Sequence, residues 1–245
     1  MKRTQLLIFS TFFIFHFSGY SQSSEFKSIQ IGKQIWMANN LNSSVFQDGT
    51  PIFEAKIDEE WRTAGSEKRP AWCYYGNDSS NGIKYGRIYN WYAVSNPLNV
   101  CPAGWNVASD KDWNVLEKYL GLDSAEIHSF KDSRGSEAKL GLKLIGDNNL
   151  WNISGDSVAN IKSSGFNALP AGQRDPYGEF SGEKKFTLFW TSTGNSKKDE
   201  KGIFHNNPWM RIITGKMSRS CLRDKVMPTY GFSVRCVKKV GYKSK

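Results

Sequence analysis

The sequence predicts an α+β domain, loop-rich, with two short helices in the first half packed on small twisted antiparallel sheets formed largely by the second. Three observations carry that expectation. Ser109 and Asp112 frame a helix start ahead of an apolar stripe. Apolar residues bracket a glycine turn between Ser28 and Met37. Beyond Leu150 the chain becomes short aromatic runs separated by Gly, Asn and Asp.

Taken in order, the first 21 residues stand apart. Lys2 and Arg3 precede an apolar stretch from Leu6 to Phe17, and Gly19 and Ser21 supply small residues for a cut after Ser21. Residues 1–21 therefore read as a secretory signal peptide. The stretch is short of the roughly 20 residues a spanning helix needs, and no cysteine adjoins the cut to carry a lipid. The expectation is a secreted or cell-surface protein with no stable membrane insertion after cleavage.

Residues 22–27 form a short tail, and Ser28 to Met37 then reads as a hairpin turning at Gly32-Lys33. Residues 43–70, with a turn at Asp48-Gly49-Thr50-Pro51 and a charged run from Ile57 to Arg69, read as a surface excursion. Tyr85, Ile88, Trp91 and Tyr92 share one helical face, which predicts a short buried helix over 86–93. A second helix is predicted from Asp110 to Leu120. Trp113, Leu116, Tyr119 and Leu120 form its apolar face, and Gly121 is placed to end it. Residues 133–145 carry a weaker, glycine-interrupted helical signal. The strand candidates are Phe186–Thr191, Trp209–Thr214, Met217–Leu222 and Gly231–Lys238, and residues 239–245 are a basic tail.

The formal net charge of +10 falls to +8 once Lys2 and Arg3 leave with the signal peptide, which holds no acid. Export argues against a nucleic-acid partner, and cations scattered among acids describe a solvated surface. Nine tryptophans and fifteen phenylalanines can anchor a sizeable core. An exported chain with Cys73, Cys101, Cys221 and Cys236 is expected to form disulfides, and the residues alone leave three connectivities open. None of the spacings is a zinc knuckle or a redox pair, so no metal and no cofactor is expected.

Eight blocks in order give the chain a resemblance. They are Ile31 to Ala38, Asp48 to Ile52, Trp72 to Tyr75, Tyr85 to Ala93, Cys101-Pro102-Ala103-Gly104-Trp105, Gly165 to Pro170, Trp190 to Thr193, and Gly231 to Val237. Together they resemble the Fibrobacter succinogenes major paralogous domain, over residues 28–238. The resemblance implies a C-type lectin-like fold, shared with formylglycine-generating enzymes, in an exported or surface protein whose chemistry is unassigned. It also implies a bond from Cys101 to Cys236, leaving Cys73 with Cys221. The chain departs from the family at Gln173, where an aromatic residue is usual, at Gly194, where an acid is frequent, and at Cys221.

The functional expectation is a non-catalytic binding module for a glycan or a surface protein. Its candidate ligand residues are Trp151, Arg174, Tyr177, Trp190 and Trp209, because aromatic faces and a forked guanidinium suit sugars and protein hot spots. The Gly-rich segment carrying Arg174 and Tyr177 is expected to be an exposed recognition loop. The alternatives are a structural envelope component and, further off, a glycan-active enzyme using acids among Asp175, Glu179 and Glu183. No calcium-lectin triplet, Gly-x-Ser-x-Gly, P-loop or His-Glu-x-x-His motif is present.

Overall fold

The computed structural model describes residues 26–145, 148–153, 163–194, 207–215 and 219–238. The expected signal peptide 1–21, residues 22–25 of the short tail and the basic tail 239–245 lie outside the described residues.

The first hairpin forms as its pattern requires. Strands β1 (Ser28–Ile31) and β2 (Gln34–Met37) pair antiparallel from Ser28↔Met37 to Ile31↔Gln34. Gly32 turns with φ of 60°, and a Cβ there would lie 2.8 Å from the Tyr119 ring, so conformation and space both demand glycine. Residues 43–70, expected to be an irregular excursion, contain strand β3 (Phe53–Glu54) and helix α1 (Asp58–Ser66). Glu60 Oε2 accepts from the Lys56 and Ile57 amides at 2.7 and 3.3 Å, tying down the chain ahead of that helix. Trp61 and Ala64 are buried, so the charged run is the outer face of an amphipathic turn.

Strand β4 (Ala71–Cys73) and the short helix α2 (Ser80–Tyr85) follow. The helix expected over 86–93 is instead strand β5 (Ile88–Asn90) followed by one helical turn, α3 (Trp91–Val94). Gly86 has φ of 74° and packs where a Cβ would be 2.7 Å from the Leu41 carbonyl, so no helix passes through it. Asn90 caps α3 by accepting from the Ala93 amide at 3.1 Å. Because β5 is buried on both faces, it shows no period-2 alternation and its spacing imitates a helix.

After strand β6 (Asn106–Val107), helix α4 (Asp110–Tyr119) starts at the predicted capping box. Ser109 Oγ accepts from the Asp112 amide at 3.2 Å and Asp112 Oδ2 accepts from the Ser109 amide at 2.9 Å. Trp113 and Leu116 are buried, while Tyr119 faces outward and packs on the Gly32 turn. Only Leu140–Leu144 of the 133–145 region is α-helical (α5).

The second half builds β7 (Ala171–Arg174), β8 (Phe180–Glu183), β9 (Phe186–Trp190), β10 (Trp209–Thr214), β11 (Leu222–Lys225), β12 (Gly231–Phe232) and β13 (Cys236–Lys238). Two strand expectations change. Met217 lies outside the described residues and the strand there begins at Leu222. The run 231–238 divides, with β12 and β13 joining different sheets.

One sheet has the order β1-β2-β13-β6, and the other β11-β10-β9-β7-β12-β5-β4-β3 with β8 on β7. The larger is mixed, since β3 with β4 and β7 with β9 run parallel. The class is α+β with open sheets. The two largest apolar clusters each draw from both sheets: Trp36, Val237, Phe189 and Ile213 in one, Met37, Cys236, Trp190 and Phe232 in the other. Trp36, Trp113, Phe166 and Phe189 form an aromatic knot with centroids 5.2–5.7 Å apart. Arg235 closes that knot, donating to the carbonyls of Met37, Phe166 and Asn167 and to Asn40 Oδ1 at 2.5–2.8 Å. No carboxylate is among these acceptors, and burial pushes its guanidinium pKa down to about 9.

Cys101 and Cys236 are bonded, with Cα atoms 6.1 Å apart across 135 residues of sequence. The expected Cys73–Cys221 bond is absent. Cys73 is buried with Trp61 and Ile88 around α1, and Cys221 is buried against α4 and α5, so two separate parts of the core hold the two thiols.

Candidate functional site

The structure puts most of the expected ligand residues inside the fold. Trp190 is fully buried, its indole donating to the Tyr89 carbonyl at 2.8 Å, and Trp151 donates to the Ala168 carbonyl at 3.0 Å. Arg174, also fully buried, donates to the Gly178 and Ala55 carbonyls at 2.9 and 2.8 Å and pairs with Asp58 at 3.0 Å. It therefore locks the β7–β8 loop onto α1 and offers a ligand nothing. Trp209 is half-buried, with the Arg223 guanidinium 3.3 Å and the Lys225 ammonium 4.3 Å from its ring centre, so cations occupy the aromatic face expected to stack a sugar. Of the five, Tyr177 alone is largely exposed, at 71%.

Of the acids weighed for glycan cleavage, Asp175 and Glu183 are half-buried and Glu179 is exposed. Asp175 Oδ1 accepts from the Tyr177 and Glu179 amides, shaping the turn, and Glu183 accepts from the Tyr85 hydroxyl at 3.0 Å beside Lys84. The charged cluster that sequence reading missed lies under α4. Glu117, fully buried, accepts from Arg134 and from Arg211 Nε at 2.6 Å each, while Asp110 takes Arg211 at 2.9 Å and Arg223 at 2.8–2.9 Å. Burial pushes the Asp110 carboxyl upward, but the hydrogen bonds from Arg223 and the charge of Arg211 outweigh it and hold it below 3.8. The Cys221 thiol lies 3.7 Å from Glu117, and burial next to that carboxylate pushes its pKa up. Burial likewise pushes the Cys73 thiol up to about 12. Both thiols stay protonated and inert.

Among the described residues, one cleft open to solvent, of about 320 Å³, lies between the turn after α3, β6 and the start of α4. Its walls are fixed from several directions. Asn99, in the left-handed region at φ of 55°, accepts from the Cys101 amide at 3.1 Å and donates to the Trp105 carbonyl at 2.8 Å, which folds the 95–105 loop on itself. The Cys101–Cys236 bond and the Asn106↔Val237 pairing then anchor that loop to the last strand. On the far wall the Ser192 amide donates to the Ala108 carbonyl at 3.0 Å, and Thr193 Oγ1 accepts from the Asp110 amide at 3.0 Å.

The cleft thus sits where two of the sequence blocks, Cys101 to Trp105 and Gly231 to Val237, are tied together by a disulfide. A model of the Fibrobacter succinogenes major domain matches residues 29–238, the greater part of the chain. The chain belongs to the Fibrobacter succinogenes major domain family. Within this domain both half-cystines, all the described strands after β1 and the cleft itself fall inside the matched segment. No curated protein and no solved structure matches the chain.

A smaller hollow of about 260 Å³ has Cys73 in its wall and the Glu54–Lys56 ion pair, 3.7 Å apart, beside it. The larger cleft is richer in hydrogen-bonding side chains. Asn96 uses its Oδ1 for the Leu98 amide at 2.9 Å, but its Nδ2, the whole Asn106 amide and the Ser95 and Ser192 hydroxyls bond to no described residue. Asn40, Asn90 and Asn99 behave oppositely, using both ends of their amides internally. Sequence reading marked the Cys101 to Trp105 block and the Ser109–Asp112 helix start but not Asn96, Asn106 or Ser192 as ligand groups, since isolated small polar residues carry no motif.

Proposed function

We propose that this domain is an exported or cell-surface binding module without a catalytic centre, its ligand a glycan or a protein, on a C-type lectin-like version of the α+β fold. The observation that carries the reading is the cleft, where side-chain amides and hydroxyls not used by the fold stand on walls pinned by a disulfide, a capping box and strand pairing. Recognition sites need such groups held still, because ordering them at the moment of binding costs affinity.

Two features support the remaining parts of the proposal. A disulfide joining the loop before the main helix to the last strand fits an oxidising compartment, and a long bridge of this kind is what a lectin-like module would carry. The two thiols that a redox or acyl-transfer mechanism would draw on are buried, with pKa values raised by that burial.

The deciding experiment screens the oxidised mature chain against a glycan array and against envelope proteins in a pull-down, with product analysis of every glycan that binds. Saturable binding without turnover is the expected result. Cleavage or oxidation of a bound glycan would overturn it, and stable assembly into an envelope complex with no saturable ligand would favour a structural role.

A further inference from the structure

We infer that the cleft takes a neutral saccharide and discriminates against acidic ones, an inference that rests on the binding-module reading. The argument begins with charge. The chain is basic, +10 overall, and by net charge alone would attract anionic polysaccharide. Yet among the described residues the one charged side chain lining the cleft is the carboxylate of Asp112. Its Oδ2 is committed to the Ser109 amide and hydroxyl, at 2.9 and 2.6 Å, and its Oδ1 accepts from no described residue. A uronate or sulfate entering here meets a like charge with no cation among the described lining residues.

The remaining groups match hydroxyl-bearing ligands. Asn106 offers an uncommitted donor and acceptor side by side, Asn96 a donor, and Ser95 and Ser192 a hydroxyl each. Adjacent donors and acceptors pair with vicinal sugar hydroxyls, each of which donates and accepts. Asp112 Oδ1 adds a strong acceptor for a hydroxyl proton. The apolar lining is limited to Val94, Pro97 and Val107, and the volume of about 320 Å³ is at the small end for ligand clefts. Peptide anchors, which bury large aromatic or aliphatic side chains in deep pockets, find no such pocket here. A few sugar units laid across the rim fit the composition better.

The experiment measures binding of the oxidised mature protein to neutral pentasaccharides (gluco-, xylo-, manno- and N-acetylglucosamine-based) and to oligogalacturonate and oligomannuronate by titration calorimetry. The variants are Asn106→Ala, Ser192→Ala and Asp112→Asn, each checked for an unchanged thermal midpoint. A neutral pentasaccharide is expected to bind. Asn106→Ala should weaken it about tenfold, the loss of one or two hydrogen bonds, and Ser192→Ala several-fold. Asp112→Asn, which keeps an acceptor for the helix cap, should raise affinity for the uronates about tenfold. Should Asp112→Asn unfold, the other two variants still decide the site.

Failures of the two readings separate. Binding of uronates alone, or of neutral sugars with Asn106→Ala and Ser192→Ala unaffected, overturns this inference and leaves the binding module standing. Capture of a defined envelope protein with no saccharide bound does the same. Turnover of the pentasaccharide overturns both.

Discussion

Replacing Glu117 with Gln tests whether the buried charges under α4 act as one unit. Glu117 is fully buried and accepts from Arg134 and Arg211, while Asp110 serves Arg211 and Arg223. Three guanidiniums are thus balanced by two carboxylates, and Glu117→Gln leaves a net excess of two positive charges in the core. Removing one partner of a buried pair costs about 3–5 kcal/mol. The lower end applies, because Arg134 keeps the Glu126, Ile127 and Cys221 carbonyls and Arg211 keeps Asp110 and Asn114. The expected loss is about 3 kcal/mol for Glu117→Gln and about the same for Arg134→Met. The double variant should lose about 3 kcal/mol, because the second change removes the charge the first one orphaned. Urea melts of the oxidised protein, followed by tryptophan fluorescence, measure all three if the slope with denaturant stays constant. A loss below about 1 kcal/mol for Glu117→Gln, or additivity in the double variant, would refute a coupled buried unit.

The remaining predictions concern the disulfide, the two free thiols, the acid limb and a glycine. Closing 135 residues with Cys101–Cys236 contributes about 5 kcal/mol in the chain-entropy model, so the Cys101→Ala/Cys236→Ala pair should lower the urea midpoint accordingly, and an unchanged midpoint would count against the model. Iodoacetamide at pH 8 should leave Cys73 and Cys221 unmodified until the chain is unfolded, because both are buried with raised pKa values; labelling of the native protein, read by mass spectrometry, would contradict this. Asp110 titrates below 3.8 in the folded protein, so its stabilisation is fully present above that value and is lost as pH falls through the depressed folded pKa. Asp110→Asn should flatten that part of the stability profile, and an unaltered acid slope would show that Asp110 does not carry it. Gly172→Ala should destabilise by more than about 2 kcal/mol, since φ is 64° and the new Cβ would lie 2.4 Å from the Ser181 carbonyl oxygen; a thermal melt with an unshifted midpoint would refute the close packing.

Much of the fold was legible where a signal is local. The Ser109–Asp112 box, the Gly32 turn and the aromatic run of Phe186–Trp190 each depend on residues within a few positions of one another. The helix misread over 86–93 shows the limit, because a strand buried on both faces loses its alternation and neighbouring turns then dominate the pattern. The candidate site was legible only in part, as the Cys101 to Trp105 block and the Ser109–Asp112 helix start. Its amides from Asn96 and Asn106 and its hydroxyl from Ser192 lie far apart in sequence or in featureless turns, and only strand pairing and the disulfide bring them to one cleft.

The sequence by itself determined the α+β class and the family, since composition, ordered blocks and capping chemistry are carried by residue identity along the chain, while the Cys101–Cys236 closure followed only from the family resemblance and is seen in the structure. Only the tertiary structure decided which polar and aromatic side chains face inward. Arg174 read as a ligand-binding fork on an exposed loop, and nothing in the sequence marked Arg211 or Arg235, yet each is buried because carbonyls or carboxylates from distant segments converge on its guanidinium. Trp151 and Trp190 read as platforms, yet each is buried with a backbone carbonyl taking its indole N–H. Burial is a property of what folds against a residue, and a desolvated charge is tolerated only where its partners arrive from elsewhere in the chain.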